Sequence, residues 1–238
     1  MSEHPVLSAP LEGITEARLV IRHGLGNARV GSDATMAELY VVRGTGRTPR
    51  ARCSGGTVEL TYPRLGVATR GRTDEITLNG SIPWAIEVSG AVGDVRADLS
   101  RVCVRSVSVD GGTARTSLNL SHPEGTVPVR LGAVSLMVIR RPVGVPVRVR
   151  LRRGARQVTV DEQTVAERAG PTTLVSPGFD DATDRIDISV DVADRLTITT
   201  TDLTEISRAH PRDVMLAANS WFARLGVSGV VWPAPDPA

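Results

Sequence analysis

Between Trp84 and Asp161 one phrase recurs four times: a glycine, a small or polar residue, then alternating aliphatics. It stands as Gly90-Ala91-Val92-Gly93-Asp94-Val95, Gly112-Thr113-Ala114-Arg115-Thr116-Ser117-Leu118, Gly132-Ala133-Val134-Ser135-Leu136-Met137-Val138 and Gly154-Ala155-Arg156-Gln157-Val158-Thr159-Val160. The leading glycines stand at nearly even intervals. A step of about 20 residues holds two short strands and two turns, the unit of a stacked coil that buries its apolar face only against the next. This repeat limits the fold class far more tightly than it limits the function.

Such coils need a core of aliphatic ladders, and the composition supplies one: 41% of residues are hydrophobic while aromatics make up only 3%. A chain of 238 residues buries roughly 70% or more of its unfolded surface on folding, so stability requires neither disulfide nor metal. Cys53 and Cys103 lie far apart, without metal spacing, and read as buried small hydrophobes in a reducing compartment. Met1 to Pro10 has no basic and apolar leader pattern, and no stretch approaches 18 consecutive apolar residues, so a cytoplasmic location is expected. All 28 basic residues are arginine, and the net charge of +2 is too small to argue for nucleic acid.

Strands are expected wherever aliphatics alternate with polar residues at a period of two. Within the repeat these are Val102 to Val109, Leu118 to Leu120, Val127 to Leu131 and Val134 to Val138; ahead of it, residues 19–21, 38–43, 57–62, 75–80 and 84–88. After a loop over 162–183, Arg185 to Val190 and Arg195 to Thr199 resume the pattern. Gly24 and Gly26 suggest a phosphate loop, but Arg29 stands where the third glycine of a dinucleotide fingerprint belongs and no helical pattern follows. Val214, Leu216, Ala217, Trp221, Phe222 and Leu225 form an apolar stripe at helical spacing, which predicts a helix over about 212–225 ended by Gly226. The expected organisation is an N-terminal arm over 1–14, an all-β, β-solenoid-like domain over 15–200, and a C-terminal α-helical cap with a Pro-rich tail over 201–238. A terminal amphipathic helix would cover an open end against edge pairing.

Several turns carry a resemblance. Ile86-Glu87-Val88-Ser89-Gly90, Ala97-Asp98-Leu99-Ser100, Ser108-Val109-Asp110-Gly111-Gly112 and Gly125-Thr126-Val127-Pro128-Val129-Arg130 resemble the bacterial putative-adhesin, or toastrack, family, and Arg141-Pro142-Val143-Gly144-Val145-Pro146 and Val158-Thr159-Val160-Asp161 look like its later coils. The resemblance covers roughly residues 15–200. It implies a β-solenoid-like scaffold without established enzymatic activity, in relatives often attached to membrane segments or envelope-stress modules. This chain departs in having no membrane segment and in replacing the usual Gly-Gly pair at Leu131-Gly132 and Arg153-Gly154.

The clearest chemical feature is basic. Arg140, Arg141, Arg148, Arg150, Arg152, Arg153 and Arg156 place seven cations in one short stretch. In Val147-Arg148-Val149-Arg150-Leu151-Arg152 the period of two sends three guanidinium groups to one face, about 6.5 to 7 Å apart. A stripe of this kind is either a solvated face paired with carboxylates of neighbouring coils or a surface for phosphates, an acidic protein face or anionic lipid. Nucleic acid is the weakest of these, because no aromatic platform is interleaved.

Other candidates have simpler readings. Asp180, Asp181, Asp184 and Asp187 lack the spacing of a calcium loop and read as a solvated loop, so no metal is assigned. Asp98 and Asp161 end repeat strands, where stacked coils can face two acids as glycosidases require, yet turn-forming aspartate is the commoner use. His4, His23, His122 and His210 show neither metal spacing nor a nucleophile elbow, and Trp84, Trp221 and Trp232 are scattered. The expectation is a non-catalytic scaffold, with no cofactor, that binds a protein partner through the seven arginines. A homo-oligomer is allowed and a nucleic-acid role is not expected. The alternatives are a carbohydrate-active β-helix enzyme, which needs two facing carboxylates and exposed aromatics, and a peripheral module on an anionic membrane surface.

Overall fold

Alternation at a period of two becomes strand almost everywhere in residues 6–44, 49–63 and 73–201, which are the residues that the computed structural model describes. In chain order the strands are β1 (Val6–Pro10), β2 (Ala17–Arg22), β3 (Ala28–Asp33), β4 (Glu38–Gly44), β5 (Arg50–Ser54), β6 (Thr57–Thr61), β7 (Asp74–Asn79), β8 (Trp84–Val88) and β9 (Val92–Leu99). They continue as β10 (Val104–Val109), β11 (Thr113–Leu120), β12 (Thr126–Pro142), β13 (Val147–Leu151), β14 (Gly154–Val160), β15 (Gln163–Ala169), β16 (Thr172–Val175) and β17 (Arg185–Thr201). The fold is all-β, and no helix occurs among the described residues. The helix expected over 212–225 and the Pro-rich tail lie outside them.

Parallel pairing builds two ladders. In the first, β6, β2, β8, β10, the leading half of β12, the leading half of β17 and β13 follow edge to edge. In the second the order is β7, β3, β9, β11, the trailing halves of β12 and β17, and β14. Because β12 and β17 run through both ladders, the strands form one 17-stranded sheet, nearly closed and barrel-like, around a shared core.

The inward residues line up rung by rung. Val58, Leu19, Ile86, Val107, Val129, Ile188 and Val149 are successive register partners in the first ladder, and all are buried. Ile76, Val30, Ala97, Leu118, Ile139, Ile198 and Val160 follow one another in the second, buried except for Ala97, which is partly so. Each fully buried Val, Leu or Ile contributes about 1.5–3 kcal/mol, so these two rows are a main source of cohesion and explain how a chain poor in aromatics holds together. Trp84 is fully buried at the start of β8, its indole N–H donating to the Asn79 carbonyl at 2.9 Å.

Rung order departs from chain order at both ends. In the middle, β8/β9, β10/β11 and β12 stack in sequence, one repeat step at a time: Ile86 to Val107 to Val129 in one ladder, Ala97 to Leu118 to Ile139 in the other. The fourth phrase does not stack on the third: β17 lies between β12 and the β13/β14 rung, pairing β12 along its whole length. At the other end β2/β3 lies inside β6/β7. Each outermost rung is covered by antiparallel strands: β5 on β6 and β4 on β7 at one end, β16 on β13 and β15 on β14 at the other. β1, from the segment expected to be a separate arm, pairs with β4.

Three of the covering strands run where the sequence predicts loops. β15 and β16 fall in the segment 162–183, and β5 overlaps residues 44–52, whose Gly, Pro and Arg content between the strands expected over 38–43 and 57–62 marks a loop. A strand paired along one edge and open on both faces has no buried side to pattern, and β15 is exposed almost throughout.

The repeated glycine has a packing cause. A Cβ on Gly111 would lie 1.9 Å from the Gly90 carbonyl oxygen, one on Gly132 2.7 Å from that of Gly111, and one on Gly90 2.7 Å from the Gly24 amide nitrogen. Successive corners approach too closely for any side chain, so Gly24, Gly90, Gly111 and Gly132 form a column. The column takes Gly111 rather than Gly112 of the second phrase. Gly154 stands apart from it, packing against the Arg168 carbonyl of β15.

Candidate functional site

The arginines of β13 are placed by alternation. Val147, Val149 and Leu151 point into the core, which turns Arg148 and Arg150 outward, and Arg152 follows at the strand end. β17 lies alongside and presents aspartates to them. Arg148 Nη2 lies 2.6 Å from Asp187 Oδ2, and Arg150 Nη2 is 2.6 Å from the same oxygen. Arg152 and Arg153 approach Asp191 at 3.2 and 3.8 Å, and Arg156 on β14 approaches Asp194 at 2.8 Å. Five arginines thus share three aspartates.

The pairs differ in exposure. Asp187 is 11% exposed, whereas Arg152, Arg153 and Arg156 are 72%, 68% and 78% exposed. Burial pushes the Asp187 carboxyl up, but the hydrogen bond and charge of Arg148, then those of Arg150, outweigh it and hold the group below its ordinary value. Arg148 is further fixed by the buried Phe179, whose ring centroid lies 4.6 Å from its guanidinium carbon; Arg185 lies over the same ring at 5.1 Å. Beside this cluster, Arg150, Leu151, Arg152, Pro171, Thr172 and Thr173 line an open hollow of about 390 Å³.

Arg140 and Arg141 occupy other positions. Arg141 falls on the inward parity of β12 and is 4% exposed. It donates to the Val145 carbonyl across the Pro142 to Val145 turn and to Asp161 Oδ2 at 2.5 Å. Burial depresses its guanidinium pKa against the opposing pull of Asp161. Its expected place on a contact surface is therefore corrected: period-two parity sends it to the interior. Arg140 points outward on the second ladder, donating to Ser117 Oγ at 3.0 Å and Asn119 Oδ1 at 3.2 Å.

The acids weighed for chemistry are engaged in turns and ion pairs. Asp98 Oδ1 accepts from the Ser100 amide at 3.2 Å and its hydroxyl at 2.7 Å, the same turn made by Asp33 with Thr35 and by Asn79 with Ser81. Asp161, with φ of 53°, pairs with Arg141. Of the acidic run, Asp187 belongs to the arginine cluster and Asp184 accepts from the Gly125 amide at 2.7 Å. Among the described residues no three His, Cys, Asp or Glu side chains gather as a metal site. The cysteines correct another expectation: Cys53 is exposed on the outer strand β5, and Cys103 is half-buried in the turn before β10, its thiol donating to Glu124 at 3.4 Å.

Sequence reading does not single out Asp191 and Asp194 as partners of the arginines, although Asp187-x-Ser189-x-Asp191 has the same period as Arg148-x-Arg150-x-Arg152. Nor does it single out Arg29, Arg96 and Arg115, which the fold assembles beside Arg140 from separate rungs.

No family model matches the chain. No curated protein matches it in sequence. Among solved structures, the fold is similar to that of a protein of Clostridium sporogenes ATCC 15579 described as a "putative cell adhesion protein", with a TM-score of 0.65, 16% identity, and coverage of 84% of this chain and 99% of that one. At that identity the likeness concerns the fold alone.

Proposed function

We propose that the chain is a non-catalytic, β-solenoid-like scaffold of the toastrack type that binds another protein through the arginine-rich face of β13, β14 and the adjoining turn. The observation that carries this reading is the imbalance on that face, where five arginines meet three aspartates and two of the exposed ones, Arg150 and Arg152, line an open hollow. Arg150, Arg152, Arg153 and Arg156 are the contact residues. Their planar, multiply donating heads suit carboxylates presented by an acidic partner. The adhesion description of the structural neighbour is in keeping with binding rather than catalysis. The reading places the protein in the cytoplasm, where free thiols such as Cys53 and Cys103 stay reduced.

The test is a capture experiment with wild type and a variant carrying Arg150→Glu, Arg152→Glu and Arg153→Glu, with an anionic-vesicle arm in parallel. The reading expects one protein recovered by wild type and lost by the folded variant, with vesicle binding the same for both. Equal recovery by both proteins overturns it, and charge-dependent binding to vesicles alone replaces it with the membrane reading.

A further inference from the structure

Two strands of opposite character flank the arginine row of β13. On one side β17 sets Asp187 beside Arg148 and Ser189 beside Arg150, and its Asp191 meets Arg152. On the other side β16 sets Val175 beside Arg148 and Thr173 beside Arg150, and none of its residues is charged. Among the described residues the row is therefore met by carboxylates from one flank alone. Arg150 and Arg152, whose side chains are 49% and 72% exposed, line the hollow with Pro171, Thr172 and Thr173 of the uncharged flank.

That flank ends in an open strand edge. The Ser176 amide donates to the Val147 carbonyl at 2.9 Å, which fixes the phase of the antiparallel pair: Thr172 and Leu174 turn their backbone groups to β13, and Thr173 and Val175 turn theirs away. Among the described residues no strand pairs along that outer side. Two other terminal edges are interrupted: β15 skips register at Glu167, where φ is 45°, and β1 shifts register at Pro10, which has no amide hydrogen. β16 keeps one register over its whole length, and Val175 on its outward face is 48% exposed.

Resting on the reading of this face as a protein contact, we propose that the partner presents an extended acidic segment that adds to the outer edge of β16 as an antiparallel strand. Its backbone exchanges hydrogen bonds with the N–H and C=O groups of Thr173 and Val175. Side chains at alternate positions share the outward face: an apolar one lies beside Val175, and two glutamates, beside Thr173 and Pro171, reach Arg150 and Arg152 across the hollow. The added strand stands two strand spacings from β13, about 9.6 Å, which arginine and glutamate side chains span together. Such a segment supplies the flank of carboxylates that β16 lacks, and the main-chain bonds fix its register against the arginines.

The test is titration of the full chain with the N-acetylated peptide Thr-Val-Thr-Glu-Thr-Glu-Thr and with the same peptide N-methylated at Val and both Glu, which keeps the charges and removes the amide hydrogens that face β16. Amide NMR is expected to show saturable binding of the first, with slowed hydrogen exchange at Thr173 and Val175, and binding of the second at least about tenfold weaker. Thr173→Pro, which deletes an outward N–H that β13 does not use, is expected to weaken the first peptide by a similar factor. Arg150→Glu with Arg152→Glu should abolish binding, while Arg50→Glu with Arg52→Glu on β5 leaves it unchanged. Equal binding of the two peptides that still depends on Arg150 and Arg152 overturns strand addition and leaves the arginine face as a carboxylate-binding surface. Absence of saturable binding by either peptide also overturns it, and the capture experiment then decides the underlying reading by itself. Binding undiminished by the changes at Arg150 and Arg152 sinks both. Should Thr173→Pro fail to fold, the methylated peptide decides alone.

Discussion

Arg148 and Asp187 face each other in the β13–β17 register from positions 39 residues apart, Nη2 to Oδ2 at 2.6 Å, and Arg150 shares the same carboxylate oxygen. One aspartate therefore restrains two arginines and fastens the outermost rung to β17. Its lowered pKa means that this stabilisation is complete above the ordinary carboxylate value of about 4 and is lost as pH falls through the lowered folded value. Asp187→Asn is expected to cost about 1–2 kcal/mol at pH 7, and urea denaturation should show that deficit shrinking as the pH is taken below about 4. A deficit that does not change with pH would show that the charge plays no part.

The glycine column predicts a sharp contrast between two similar substitutions. Gly111→Ala drives a Cβ to 1.9 Å from the Gly90 carbonyl oxygen, backbone against backbone, whereas Gly31, in β3, has nothing within 4 Å of the same atom. The first change should destabilise by about 3 kcal/mol or more, through forced separation of two rungs. Gly31→Ala should be neutral or stabilising by up to about 0.5–1 kcal/mol. Paired thermal melts check both.

The seven arginines divide into structural and surface groups. Arg141→Met removes the donor to the Val145 carbonyl and Asp161 from a buried position, and should cost about 2 kcal/mol. Arg153→Met, on a group 68% exposed and 3.8 Å from its carboxylate, should stay within about 0.5 kcal/mol of wild type. Chemical denaturation of the two variants gives the comparison directly.

Much of this architecture is legible because burial patterns a sequence. The alternation of Val147, Val149 and Leu151 with arginines names both the inward row and the outward stripe, and the repeat step reappears as the register offset from Ile86 to Val107 and from Leu118 to Ile139. What escapes are relations that leave no local trace. Nothing near Gly154 says that β17, much later in the chain, enters between its rung and that of Gly132. β15 is exposed on both faces and so carries no alternation. Arg29, Arg96, Arg115 and Arg140 lie on four separate strands, and only the register brings them to one face. Arg141 is misread because a run of arginines looks like surface unless parity is followed through the whole of β12.

Thr173, on β16 directly opposite Arg150, lines the hollow beside the arginine face. A photo-crosslinking residue placed there, in living cells, tests the binding claim most directly. One discrete protein adduct is expected, lost when Arg150, Arg152 and Arg153 are changed to glutamate in the folded chain. Absence of any adduct, or an adduct that persists undiminished in the charge-reversed chain, would contradict a binding surface built on these arginines.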